Sequence, residues 1–307
     1  MACGVFVPRA IHALVLAVCL LLASGSSLWA AEPARRIVSL DWGLTETLLA
    51  LGVVPVAVAD VPGYRGWVVE PALPEGVVDL GSRFEPNLEQ LQQLKPDVIL
   101  ATPYQNPLKP LLERIAPVET IAIYEEDASG RDNGNHPLER AIAATRHLGS
   151  LTNRQSEAEA LIANTDALFT TARQRLDDAG AEAHRPLYIA TSVDERHVWL
   201  YARNSLFQDV FDRLGLSNAW QAETNFWGFS SAGYDELADA PEARLLLLRP
   251  LPSGVEASLA RNPLWNALPF VRAQRVALID PVLMFGTLPA SGRFARLLVL
   301  TLTGAPL

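Results

Sequence analysis

The stretch RQSEAEALIANTDALFTTARQRLDDAG, Arg154 to Gly180, decides how the rest of the chain is read. Ala158, Leu161, Ile162, Thr165, Leu168, Phe169, Ala172 and Leu176 follow steps of three and four, which lay one packing stripe along a helix. No Pro or Gly falls between Arg154 and Asp178, and Gly180 stands where a C-terminal cap is expected. At 1.5 Å per residue such a helix is roughly 35–40 Å long, more than one lobe needs. With the segment from Pro137 it reads as a rigid spine joining two α/β lobes. A long core helix of one large domain is the alternative.

The chain on either side alternates short apolar runs with helical spacing. Upstream, Arg36–Leu40, Val53–Ala59, Asp97–Ala101 and Val118–Tyr124 read as strands. Trp42–Leu51, Pro86–Leu94 and Leu108–Ile115 read as helices, and Asp60–Pro74 as a polar loop. Strands alternating with helices imply right-handed βαβ crossovers. The polar, Gly-containing run Ser129–Asn135 marks a boundary before the spine. Downstream, Leu187–Thr191 and His197–Tyr201 flank the charged turn Asp194-Glu195-Arg196. Leu206–Leu214 stops at Gly215, Arg244–Leu248 and Arg275–Ile279 read as strands, and Ser291–Leu302 as a closing helix. The predicted fold is α/β, with two lobes of mostly parallel sheets joined by one long connecting helix and a ligand cleft between them. The divisions are a leader over 1–31, a first lobe over 35–136, a connecting segment over 137–182 and a second lobe over 183–307.

The leader has the pattern of a cleavable signal peptide. Arg9 is its only charged residue before Glu32, Ala10–Ala23 is an apolar run, and small residues precede Ala30 and Ala31. Both cysteines, Cys3 and Cys19, fall inside it, so the mature chain has no thiol for disulfides, thiolate metal sites or nucleophilic catalysis. Losing Arg9 with the leader takes the formal charge from −9 to −10, which leaves no electrostatic footprint for nucleic acid. No later run approaches the length of a membrane span.

No G-x-S-x-G elbow, glycine-rich phosphate loop or H-E-x-x-H is present. His136, His147, His184 and His197 are dispersed, and no carboxylate spacing singles out an acid/base pair, so neither an enzyme nor a protein-bound metal is expected. The aromatic residues are more informative. Trp42 opens the first βα turn, Trp67 sits in the loop after the second strand, Tyr104 follows a strand, and Phe226-Trp227 lie in a second-lobe loop. Loops at the carboxyl ends of parallel strands are where α/β folds place ligands. Each Trp either packs into its own lobe or lines a cleft between lobes. Arg83, just before a helix, either pairs with Glu85 at the surface or offers its planar fork to clustered ligand oxygens.

The string Asn204-Ser205-Leu206-Phe207-Gln208, with Asn218-Ala219-Trp220-Gln221 and Glu223-Thr224-Asn225-Phe226-Trp227-Gly228, closely resembles the ferric hydroxamate-binding periplasmic proteins of iron ABC transporters. So do Trp42 with Leu48-Leu49-Ala50-Leu51-Gly52, the loop from Tyr64-Arg65 to Pro74, Arg83 with Glu85-Pro86-Asn87-Leu88-Glu89, and Pro263-Leu264-Trp265. The resemblance covers nearly all of the mature chain. It implies a monomeric periplasmic protein that captures a ferric hydroxamate siderophore and delivers it to an inner-membrane ABC permease. Cobalamin, haem or another iron chelate on the same fold is the alternative. By the same resemblance Arg83 and Tyr104 bond the iron-coordinating oxygens, and Trp42, Trp67 and Trp227 supply apolar walls, with Phe285 a further candidate ligand contact. Glu113, Asp235 and Glu236 are the implied permease-docking carboxylates. The chain departs from the family at Val282-Leu283-Met284-Phe285, where relatives carry Trp and further aromatics. The iron stays wrapped by its siderophore, so no cofactor is implied beyond that ligand.

Overall fold

The computed structural model describes residues 35–124 and 136–307. The expected leader and the Ser129–Asn135 boundary lie outside the described residues. From Arg36 to Leu307 the chain forms one compact unit.

The first half opens with β1 (Ile37–Ser39), α1 (Trp42–Ala50) and β2 (Ala57–Val58). Asp41 caps α1, its Oδ1 accepting the Leu44 amide at 3.1 Å. α2 (Val61–Trp67) occupies the stretch expected to be a loop. Its sequence, with Pro62, Gly63 and Gly66, has poor helix propensity. It forms because Asp60 caps it and because Tyr64 is fully buried, donating its hydroxyl to the Pro71 carbonyl. There follow β3 (Val78–Asp79), α3 (Leu88–Leu94), β4 (Val98–Ala101), a 3₁₀ turn over Pro103–Leu108, α4 (Lys109–Leu112) and β5 (Val118–Thr120). These strands make an all-parallel sheet in the order β3-β2-β1-β4-β5.

α5 (Pro137–Leu151) and α6 (Gln155–Ala179) form the connecting segment. The buried face of α6 is Ala158, Ile162, Thr165, Phe169, Ala172 and Leu176, the stripe expected from spacing, and Gly180 ends it. The second half contains β6 (Leu187–Ser192), β7 (His197–Tyr201), α7 (Leu206–Leu214) and β8 (Phe229–Gly233). Beyond a 3₁₀ turn over Tyr234–Asp239 come β9 (Arg244–Leu248), α8 (Val255–Arg261), α9 (Pro263–Ala267), α10 (Pro269–Arg272), β10 (Val276–Ile279) and α11 (Leu288–Thr303). Its sheet runs β10-β9-β6-β7-β8. β6, β9 and β10 are parallel, and β7 and β8 add on antiparallel through the tight Asp194–Arg196 turn.

The lobes are tied together by more than the spine. α11 packs along α6 and also touches α1, α5 and α7, and one core runs from Trp42 and Tyr64 through Phe169 to Phe207 and Phe294. The segment before α11 is bonded to the first lobe. The Thr287 amide and hydroxyl donate to Glu46 Oε1 at 2.5 and 2.9 Å, and Thr47 Oγ1 meets Thr287 Oγ1 at 2.7 Å. Sequence spacing shows one crossing between the lobes. The side chains make a second.

Glu46 sits at that junction with Oε2 buried and unpartnered. Burial raises its pKa from 4.5 to about 8, against the opposing pull of the Thr287 and Ala290 donors. The native state therefore holds a proton that the unfolded chain gives up at lower pH. Stability is fully present below pH 4.5 and falls as pH rises toward 8, by at most about 1.4 kcal/mol per pH unit. Glu46→Gln, which mimics the protonated acid, should flatten that decline. Denaturant melts from pH 5 to 9 should show the variant gaining on the wild type as pH rises. Parallel curves would place the proton elsewhere.

Candidate ligand-binding cleft

In the first sheet the order switches direction between β1 and β4, and the crevice beyond the carboxyl ends of the strands there is the place such sheets offer a ligand. The chain puts its special residues at those ends. Asp41 follows β1, Arg83 and Phe84 follow β3, Thr102, Pro103, Tyr104 and Gln105 follow β4, and Ile123 and Tyr124 follow β5. All of them line one cavity of about 250 Å³, closed from the other lobe by Trp199, Trp227, Phe229 and Phe285.

Arg83 is held by stacking. Its guanidinium carbon lies 3.7 Å from the centroid of the Trp42 ring, a cation–π arrangement, and it makes no salt bridge with Glu85. Trp42 is itself fixed from behind, its Nε1 donating to the Ala59 and Asp60 carbonyls at 3.1 and 3.2 Å. Its ring needs the absence of a side chain at Gly63, where a Cβ would stand 2.3 Å from Cζ2. The fork of Arg83 is thus preorganised at the cavity, and among the described residues it makes no salt bridge.

Tyr104 is half-exposed in the 3₁₀ turn. That turn is fixed by Gln105, whose buried Oε1 accepts the Thr102 amide at 2.9 Å and hydroxyl at 2.8 Å. The Tyr104 and Trp227 rings, from opposite lobes, meet with centroids 4.8 Å apart. Trp227 also packs on Phe226, Phe285 and Tyr124, and Phe84 on Tyr104, so a chain of rings crosses the cleft. Tyr124 donates its hydroxyl to the Met284 carbonyl at 3.0 Å, and burial holds its pKa well above the usual phenol value. The Phe285 wall, numbered with the second lobe, hangs from the first.

Of the residues singled out in the sequence, Arg83, Tyr104, Trp227 and Phe285 come together on this cavity. Two do not line it. Trp42 is 6% exposed and lies under Arg83, supporting the cation instead of forming a wall. Trp67, at the end of α2, packs half-buried against the joint core. The carboxylates expected at the surface are exposed. Glu113 pairs with Lys109 at 3.9 Å, and Glu236 Oε1 accepts the Gly233 amide at 2.7 Å, so of the three only Asp235 has neither kind of partner. Trp199 and Phe229 were not foreseen. They stack with centroids 4.7 Å apart at the cleft edge. The signal for Trp199 is on β7: in HVWLY it takes an exposed position between buried Val198 and Leu200, where an indole invites a covering partner.

Among the described residues no group of His, Cys, Asp or Glu is placed to hold a metal ion, and no helix is long and apolar enough to cross a membrane. The profile of the periplasmic binding proteins matches residues 37–283, which takes in both sheets and the connecting helix. The chain belongs to the periplasmic binding protein family. Within it, the iron(3+)-hydroxamate-binding protein FhuD of Escherichia coli strain K12 is 38% identical over 269 residues, 88% of this chain and 87% of that protein. The achromobactin-binding periplasmic protein of Dickeya dadantii is 28% identical over 259 residues, 81% of this chain and 79% of its own. Among solved structures, the Fe3+-Desferal-bound siderophore-binding protein FhuD of Vibrio cholerae matches with a TM-score of 0.82 at 31% identity, covering 90% of this chain and 100% of that one. The α/β fold expected from the spine and the alternating strands, two mostly parallel sheets with one long connecting helix, is the fold observed.

Proposed function

We propose that the protein captures a ferric hydroxamate siderophore in the periplasm and hands it to an inner-membrane ABC permease. The observation that carries this reading is the Arg83 fork, stacked on Trp42 and lining one cavity with Tyr104, in a cleft walled mostly by aromatic rings. Ferric tris-hydroxamates are neutral at the metal centre. One cation and one hydroxyl suffice to bond their coordinating oxygens, and apolar walls suit their organic backbones. The likeness to the two FhuD proteins supports the same ligand class.

In this reading Arg83 and Tyr104 orient the metal centre, and Trp227, Phe285, Trp199 and Phe84 contact the backbone of the ligand. Trp42 acts through Arg83, and Trp67 stabilises the loop region without touching ligand. The cavity of about 250 Å³ is smaller than the roughly 300–1,000 Å³ of pockets that engulf drug-sized ligands. The complex therefore seats its metal centre inside and leaves part of its periphery on the rim, or separates the Tyr104–Trp227 pair. Glu113, Asp235 and Glu236 are proposed as docking carboxylates for the permease. The N-terminal 31 residues are proposed as the cleaved export signal, with the lobes divided as expected at 136 and 183. The role is one of binding, not of catalysis.

Intrinsic tryptophan fluorescence of the mature chain, titrated with ferrichrome, a ferrioxamine, a ferric tricatecholate and cobalamin, tests the reading. Saturable change with the hydroxamates at micromolar concentration or below is expected. Saturation by cobalamin or the catecholate alone would keep the fold and overturn the ligand class.

A further inference from the structure

Among the described residues, the charged side chains lining the cavity are Arg83 and Asp41, one of each sign. Asp41 is held in place by its own cap: Oδ1 takes the Leu44 amide at the start of α1, so the carboxylate cannot swing away from the cleft without uncapping the helix. Its pKa is raised, because burial outweighs the Leu44 amide and the Arg83 charge that lower it. Its field reaches any ligand seated against Arg83, through a cavity whose remaining walls are mostly aromatic and offer little screening.

From this placement we infer that Asp41 is a specificity-determining residue that selects by ligand charge. It neutralises Arg83, so the cleft accepts neutral or cationic ferric complexes and disfavours anionic ones. An unopposed Arg83 would draw any polyanionic iron chelate of suitable size. Arg83 supplies the directional bonds, and Asp41 cancels the long-range attraction that would come with them. The inference rests on the siderophore-binding reading above and adds a residue that the resemblance did not point to.

The test measures Kd by tryptophan fluorescence for three iron complexes of different charge: ferrichrome (neutral), ferrioxamine B (one pendant ammonium) and a ferric tricatecholate (trianionic). The proteins are the wild type, Asp41→Asn, Asp41→Ser and Asp41→Glu. Asn and Ser both retain an N-cap acceptor, so α1 is preserved, and Glu retains the charge. Affinity ratios are read, because they cancel any general change at the site. Removing the charge should weaken ferrioxamine B relative to ferrichrome by about tenfold. It should strengthen the tricatecholate relative to ferrichrome by a hundredfold or more, with Asp41→Glu keeping the wild-type ratios. Ratios unmoved in both Asn and Ser variants overturn the inference, as does a shift in Asp41→Glu as large as in Asp41→Asn, which would make shape the cause. Failure of the wild type to bind either hydroxamate defeats the functional reading and this inference with it. Normal wild-type binding with unmoved ratios defeats this inference alone.

Discussion

Arg83→Ala should bind ferrichrome roughly 10- to 150-fold more weakly than the wild type, the equivalent of about 1.5–3 kcal/mol for hydrogen bonds made by a charged donor. The loss falls on affinity rather than on folding. The guanidinium is stacked on Trp42 at 3.7 Å and makes no salt bridge among the described residues, so its removal costs the fold about 0.5–1 kcal/mol of cation–π attraction plus the countercharge it offers Asp41. Arg83→Lys separates charge from geometry. An ammonium keeps the positive charge but cannot bond two oxygens in a plane or stack as a guanidinium does, so the lysine variant should recover less than half of the lost binding energy. Isothermal titration with ferrichrome, alongside thermal melts, reads both quantities. Equal affinity in Arg83→Ala and wild type would remove Arg83 from the ligand's coordination and with it the main support for a hydroxamate.

The largest stability effect is expected at Gly228. Its φ is +76°, and a Cβ there would stand 2.6 Å from the Asn204 carbonyl carbon and the Ser205 nitrogen. Those are backbone atoms, so no side chain can step aside. The same glycine donates its amide to the Asn225 carbonyl and accepts from Ala202, which places Trp227 one residue before it in the cleft. Gly228→Ala pays about 1–2 kcal/mol for the left-handed conformation and as much again for forcing the two segments apart. At roughly 2–4 °C per kcal/mol for a chain of this size, Tm should fall by about 4–16 °C. Gly76→Ala, at φ +86° with nothing within 4 Å, pays the conformational cost alone and should lose about half as much. Gly228→Ala should also weaken ferrichrome binding, because Trp227 moves off the Tyr104 ring. A melting temperature equal to that of Gly76→Ala would show that the segments part at no cost.

The elements that could be read from the sequence are those whose pattern repeats often enough to be seen. α6 runs seven turns with one stripe, and β1, β4, β6 and β9 are apolar runs bounded by turns. β3 has two residues, too few for any period to show. β8 reads FSSAG, with no β-branched residue, and is a strand because β7 pairs with it along its whole length. α2 runs against its own propensities for tertiary reasons. The site divides the same way. Arg83, Tyr104 and Trp227 sit in loops after strands or beside a distinctive motif. Asp41 and Tyr124 also follow strands and Phe229 opens β8, but no motif distinguishes them along the chain, and only the folded cavity brings them together. The resemblance also implies a wall position for Trp42, and nothing along the chain tells that Arg83 lies on top of it.

The anchoring of the Phe285 segment bears on how such a protein diverges. Tyr124 holds the Met284 carbonyl, and Glu46 holds the Thr287 amide and hydroxyl, so between these two points the loop is pinned without help from the Met284 or Phe285 side chains. The Phe285 side chain, which lines the cavity, is therefore free to vary under selection while the loop keeps its course, whereas Met284 is buried in the joint core. A lineage meeting a new iron carrier can exchange Phe285 by a single substitution, and the lobe spacing does not have to evolve with it.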